Sequence, residues 1–344
     1  MGDRTGIEWT EATWNPVVGC SLQSPGCTNC YAMGEAARLE RMGVAKYAGL
    51  TKPSKAGPVW TGEVRLHEDA LDQPIRWKRS RRIFVNSMSD LFHEAIPDHA
   101  IDRVFAVMAL ARHHTFQVLT KRAERMKWYM CRLINEPCHV GELVDDMGGD
   151  WDSVSTPLPN VWLGVSVEDQ KRADERIPHL LATPAAVRFL SMEPLLGPVD
   201  LTCVVISEGP AEFYGHPNIT KARFTVNALA GVQSFGWRSL DWVIVGGESG
   251  PKARPSHPDW VRSLRDQCAV GNVPFLFKQH GEWIGVPDLR NLPGGTGPGF
   301  GVFDHCQYDM DAECVRVGKR AAGRLLDGVI HDGMPQSRDS ATAA

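Results

Sequence analysis

Eight short runs rich in Val, Ile, Leu and Phe, each ending in polar or glycine residues, constrain this chain more than any other feature. They fall at 14–19, 63–67, 83–88, 115–119, 161–167, 187–192, 242–245 and 274–277. Such short apolar runs fit strands buried on both faces, which is the habit of parallel sheets. Helical stretches fill most gaps, at 31–41, 69–78, 98–112, 123–134, 170–181 and 258–270, and Pro97 with Asp98, like Pro258, suits a first helical turn. Strand alternating with helix predicts an α/β protein, and six to eight such units predict a (βα) barrel over an open doubly wound sheet. Two stretches break the rhythm, 136–160 and 203–240, and read as functional loops or insertions. The expected organisation is a barrel over 1–281 with a cysteine loop at 20–30. A C-terminal extension over 282–334, with a helix near 318–326, packs on that barrel, and a disordered polar tail covers 335–344.

With 344 residues the chain is long enough to bury a large core, and 43% hydrophobic and 23% charged residues suit a globular protein. No stretch approaches the roughly 18 consecutive apolar residues of a membrane span. The N-terminal residues lack the basic-then-apolar pattern of a secretion signal, so no membrane contact and a cytoplasmic location are expected. A formal charge of -4 gives no general pull towards nucleic acid, so any such binding must be local. Lys78, Arg79, Arg81 and Arg82 form one basic group and Arg316, Lys319, Arg320 and Arg324 another. Each reads as a solvated face or as a phosphate-tracking surface. Of eleven tryptophans, Trp9, Trp60 and Trp151 fall in expected loops, as packing residues or as platforms for base stacking. No phosphate-binding Gly-x4-Gly-Lys-Ser/Thr sequence is present, which counts against ATP enzymes.

The cysteines are unevenly placed. Cys20, Cys27 and Cys30 sit within eleven residues, while Cys131, Cys138, Cys203, Cys268, Cys306 and Cys314 are dispersed. In a reducing compartment that clustering reads as a metal site or catalytic thiols before disulfides. Three soft thiolates in a loop with Pro25 and Gly26 suit zinc or an iron–sulfur cluster. Structural zinc normally takes a fourth Cys or His, and the next histidine along the chain is His67. A cubane held by three cysteines leaves one iron open, and plain reduced thiols are the remaining reading. Cys306 and Cys314, near His305, have a spacing that matches no common ligand rhythm.

This array, its place after the first strand, and the runs FVNSMSDLF (84–92), LSMEPLL (190–196), VGGESG (245–250), FKQHG (277–281) and VGKRAAGRLLD (317–327) carry a resemblance. Over nearly its whole length the chain resembles a phage-encoded three-cysteine-motif protein family that is similar to the radical S-adenosylmethionine superfamily. The first gap is six residues where the superfamily commonly has three, and Asn29 stands where an aromatic residue usually precedes the third cysteine. The resemblance implies a radical-SAM-like (βα) barrel in which Cys20, Cys27 and Cys30 ligate a four-iron four-sulfur (4Fe-4S) cluster whose open iron binds S-adenosylmethionine. It further implies one-electron cleavage to methionine and a 5′-deoxyadenosyl radical, with an electron donor such as a flavodoxin or ferredoxin. Phage encoding implies the host cytoplasm, and a nucleic acid or nucleotide as the substrate of modification or repair. The alternative is a non-enzymatic nucleic-acid-binding protein whose cysteines hold zinc.

In (βα) barrels the site is built at the C-terminal ends of the strands. Those ends carry Asn86, Ser87, Ser89 and Asp90; Thr120, Lys121 and Arg122; Ser166, Glu168 and Asp169; and Ser191 and Glu193. The last two strands add Gly246, Gly247, Glu248 and Ser249, then Lys278, Gln279 and His280, and a barrel brings all of them to one face with the cysteine loop. Each alone is equally a helix cap or a loop polar residue. Ser87, Ser166, Glu193, Gly246, Gly247 and Glu248 are the candidate cofactor contacts, glycines letting backbone approach a ligand and carboxylates suiting an ammonium or a ribose hydroxyl. Lys121, Glu193 and Lys278 are the candidate catalytic residues, and Lys121, Arg122 and Lys278 can neutralise a carboxylate or phosphate.

Overall fold

Seven apolar stretches form one parallel sheet: β1 (Ala12–Trp14), β2 (Arg82–Val85), β3 (Thr115–Thr120), β4 (Val161–Ser166), β5 (Val187–Met192), β6 (Trp242–Gly246) and β7 (Phe275–Gln279). The structure, a computed structural model, describes residues 5–209, 222–232, 236–289, 304–309 and 312–336. Every residue of β4 and β5 is buried, as strands covered on both faces require. Spatial order follows chain order without reversal, which excludes the doubly wound arrangement. Among the described residues no ladder joins β1 to β7, so the fold is α/β with a seven-stranded parallel sheet flanked by helices. The main helices are α1 (Tyr31–Arg41), α2 (Asp98–Leu110), α3 (Ala123–Asn135), α4 (Cys138–Asp146), α5 (Gln170–Leu181) and α6 (Pro258–Val270). No helix among the described residues is long and apolar enough to cross a membrane. The chain divides into two compact units, Met1–Ser166 with Thr183–Val187, and Val167–Ala182 with Arg188–Ala344.

In the first unit β1 stops at Trp14 because Pro16 has no N–H to give a ladder. Val17–Val18 then pairs antiparallel with Arg65–Leu66. The first strand therefore lies earlier than the expected 14–19, and 63–67 is a two-residue clasp instead of a barrel strand. The helix expected at 69–78 is a turn at Glu68–Ala70 and a short helix at Gln73–Arg76, since Pro74 cannot continue a preceding turn. The stretch 136–160 is not simply a loop. It contains α4, which buries Val140, Gly141 and Val144, and a Cβ at Gly141 would lie 2.9 Å from the Trp151 ring.

Trp9 is buried with its ring centroid 4.8 Å from that of Phe84, and Trp60 packs with Val18, Tyr47 and Leu50. These are packing residues, not stacking platforms. Arg82 opens β2, so the basic group 78–82 lies at the opposite end of that strand from Asn86–Asp90. Arg81 there stacks 5.0 Å from the Trp77 ring centroid, and the Arg82 backbone donates to Glu11 at 2.8 Å.

In the second unit the stretch 203–240 carries Val204–Gly209 paired antiparallel with Ala222–Val226. The C-terminal extension holds a three-stranded antiparallel sheet, with Glu313–Arg316 between Trp283–Gly285 and His305–Gln307. Its expected helix is shorter than 318–326: it runs Lys319–Ala322 and stops at Gly323, φ +64°. Most of the expected tail, 337–344, lies outside the described residues.

Asp327 ties this extension to α6. Its carboxylate accepts from Arg262 at 2.7 Å and Arg265 at 2.6 Å, and its backbone donates to Asp288 at 3.0 Å. The Arg262 hydrogen bond leads the causes that pull the Asp327 carboxyl down from 3.8 to about 2. A depressed acid stabilises the fold above its unfolded pKa and loses that contribution as pH falls through the folded one. Asp327→Asn is therefore expected to lower the urea midpoint at neutral pH, with the difference from wild type closing between pH 3.8 and about 2. A constant difference across a pH series of urea titrations would contradict this.

Candidate functional site

The cysteine loop begins at Gly19, whose φ of +90° and lack of a side chain are both required, because a Cβ there would lie 2.1 Å from the Glu63 carbonyl oxygen. One 3-10 turn, Pro25–Cys27, follows, and Cys30 sits at the N-terminal boundary of α1. The loop is fastened to the segment after β2. Asn15 Oδ1 accepts from Ser87 Oγ at 3.2 Å and from the Met88 N–H at 3.1 Å, and Ser89 Oγ donates to the Val17 carbonyl at 2.8 Å. Tyr31 Oη donates to the Ser87 carbonyl at 2.7 Å. Asn86, at φ +62°, accepts from the Val17 N–H at 3.2 Å.

All three thiols are half-buried, and Cys20 and Cys30 pack on the apolar cluster of Val18, Met33, Tyr47 and Met88. Burial pushes Cys20 up to about 12, with the Asp90 charge adding to it and Arg122 opposing. Burial also raises Cys30, and the Lys121 ammonium opposes it. A charge on Cys30 adds to the rise of Cys20, and one on Cys27 to that of Cys30.

Arg122, at the end of β3, is the hub beneath the loop. Its Nη2 donates to Ser21 Oγ at 2.8 Å, Nη1 to Asp90 at 3.0 Å, Nε to Glu94 at 2.8 Å, and Nη1 approaches Cys20 Sγ at 4.0 Å. Burial works against its charge, but Asp90 and Glu94 outweigh that and hold the guanidinium protonated. Asp90 also accepts from the Phe92 N–H at 3.0 Å, Thr120 Oγ1 at 2.7 Å and the Lys121 N–H at 3.1 Å, so the buried carboxylate is fully satisfied.

His93 completes the network. Its Nδ1 accepts from the Ala95 N–H at 3.1 Å, which leaves the proton of the neutral ring on Nε2, donating to Ser21 Oγ at 2.8 Å. Burial and then the Arg122 charge lower its pKa, so the neutral ring prevails. Both nitrogens are engaged, which argues against His93 as a fourth metal ligand. Sequence reading singled out Asp90 and Arg122 but missed Ser21, His93 and Glu94. The available signal was the run of polar residues continuing past Asp90.

Among the described residues no three His, Cys, Asp or Glu side chains stand in an arrangement that could hold a metal ion. A single zinc needs its thiolates converging at about 2.3 Å, whereas a cubane offers separate irons to separate thiolates. By the chemistry of the donor set, three thiols on one loop with Lys121 and Arg122 as counter-charges fit the cluster.

In the second unit the strand-end residues make a separate set of contacts. Lys278 Nζ lies 2.8 Å from Glu193 Oε1, and Ser191 Oγ donates to Glu193 Oε2 at 3.2 Å. Gly246 admits that carboxylate, since a Cβ there would lie 2.9 Å from Glu193 Oε1. A register shift between Val245 and Gly246 puts Lys278 at a β-bulge, which re-aims side chains at a strand end. Gly247 is required for packing, because a Cβ would meet the His280 carbonyl at 1.8 Å. The Glu248 carboxylate is held by Arg254 at 2.6 and 2.9 Å, Glu168 pairs with Arg176 at 3.0 Å, and Asp169 caps α5. Ser249 Oγ accepts from Gln279 at 2.9 Å, and His280 Nε2 donates to the Leu325 carbonyl at 2.7 Å. Ser166, at the end of β4 in the first unit, is buried. Of the candidates, Glu193 and Lys278 meet each other, Ser87 fastens the cysteine loop, and Glu248 is committed to Arg254.

Fold and site together define an α/β protein with a three-thiol loop after the first strand of a parallel sheet. The chain belongs to the family described as Protein of unknown function (DUF5131), which matches residues 4–335. No curated protein and no solved structure matches it.

Proposed function

We propose that this chain is an iron–sulfur enzyme of the radical S-adenosylmethionine type, built on a (βα) barrel winding, with Cys20, Cys27 and Cys30 as the ligands of a 4Fe-4S cluster. The reading is carried by three thiols on one short loop with the Lys121 and Arg122 cations beside them. Bound there, such a group supplies one-electron reduction of S-adenosylmethionine, with a flavodoxin or ferredoxin as donor. The chain's own part is to hold the loop through Arg122, Ser21 and Asn15 and to offer charge. The Lys121 ammonium, which opposes the rise of Cys30, also suits a carboxylate or phosphate. A nucleic-acid base or nucleotide is the proposed substrate. The first basic group stands at the far end of β2, which favours a nucleotide or short strand over a polymer tracked by those residues.

The test is elemental analysis after anaerobic reconstitution, followed by incubation of reduced protein with S-adenosylmethionine. Iron with acid-labile sulfide and release of 5′-deoxyadenosine are expected. Zinc without sulfide would overturn the reading in favour of a nucleic-acid-binding zinc protein. Titration with single-stranded DNA, duplex DNA, RNA and nucleotides across a salt series checks the substrate class, a nucleotide showing the shallow salt dependence that few phosphate contacts give. Binding to none of the four would replace it with a peptide or small metabolite.

A further inference from the structure

We propose that Arg122 is the positioning and charge-compensating residue of the cysteine loop: it holds Cys20 in place and eases electron addition to the group the three thiols ligate. The proposal rests on the iron–sulfur reading. Arg122 Nη2 grips Ser21 at 2.8 Å, and Nη1 lies 4.0 Å from the Cys20 sulfur. The same guanidinium grips Asp90 at 3.0 Å and Glu94 at 2.8 Å, so one side chain joins the cysteine loop, the segment after β2 and the end of β3. Its side chain is only 4% exposed, where solvent screens little. Nearby donors and charge are established levers on cluster potential. Adding an electron adds negative charge, so a buried cation beside one ligand favours the reduced form and a buried carboxylate disfavours it. Arg122 and Asp90, 3.0 Å apart, must therefore act with opposite sign. Lysine keeps the charge but cannot reproduce the fork to Ser21, Asp90 and Glu94.

The experiment reads the midpoint potential of the full-length protein, anaerobically reconstituted with iron and sulfide, for wild type, Arg122→Lys, Arg122→Gln and Asp90→Asn. Arg122→Gln is expected to weaken the reduction equilibrium about tenfold, a shift of about 59 mV to more negative potential for a one-electron couple. Arg122→Lys should restore most of that loss, and Asp90→Asn should move the potential the other way. A purely structural Arg122 gives no such sign reversal. Should Arg122→Gln fail to fold, Arg122→Lys and Asp90→Asn still carry the test. Loaded Arg122→Gln and Asp90→Asn proteins whose potentials match wild type would overturn the role of Arg122 alone. Wild-type protein that takes up no iron and sulfide would overturn the cluster reading, and the role of Arg122 with it.

Discussion

Replacing Cys20, Cys27 or Cys30 by alanine is expected to abolish the visible absorption and the sulfide content of the anaerobically reconstituted protein, while Cys268→Ala leaves both intact. The contrast is between thiols of similar chemistry in different places. Cys268 is fully buried on α6, and burial alone pushes its thiol up to about 12. Cys20 is pushed equally high, yet it stands beside Arg122 and within reach of Cys30. A ligand must lose its proton, so a metal overcomes the burial cost of the thiolate only where several thiolates and counter-charges meet. Each loop cysteine is half-buried, so truncation to alanine removes little packing and circular dichroism should show the fold retained. A triple alanine variant that still loads iron and sulfide in full would end the proposal.

The sheet was legible because burial on both faces leaves a local signature. The run 187–192, apolar except for Arg188 and Ser191, is β5, and the stretches 31–41, 170–181 and 258–270 are α1, α5 and α6. The start of the chain was not, because two adjacent valines look alike whether they continue a parallel strand or fold back on Arg65–Leu66, and only Pro16 distinguishes the cases. α4 was hidden by the glycines and prolines around it, although Val140 and Val144 keep helical spacing. That three thiols share one loop was legible from spacing alone. What surrounds them was not, because Arg122 reaches Ser21 across 101 residues and Ser21 reaches His93 across 72, and no periodicity reports contacts that distant. Strand-end polarity marked positions whose side chains are hydrogen-bonded or ion-paired, without saying which serve a ligand and which serve the fold.

Glu168 shows how that ambiguity resolves, and it carries the largest stability effect expected. It follows β4 in sequence and read as a strand-end acid, yet its side chain is 2% exposed and pairs at 3.0 Å with Arg176, 6% exposed, on α5. A carboxylate so placed does not need a ligand to balance its charge. Removing one partner of a buried pair costs about 3–5 kcal/mol, because the other charge stays in a medium that solvates it poorly, whereas replacing both with apolar residues is often neutral. Arg176→Leu is therefore expected to lower unfolding stability by about 3–5 kcal/mol, and Glu168→Leu with Arg176→Leu to recover most of it. Urea titrations of wild type, single and double variants close the cycle. The Glu248–Arg254 pair follows the same logic with a more exposed arginine, so its truncation should cost less. If Arg176→Leu unfolds like wild type, Glu168 is not held by Arg176, and a ligand-binding role for that carboxylate returns.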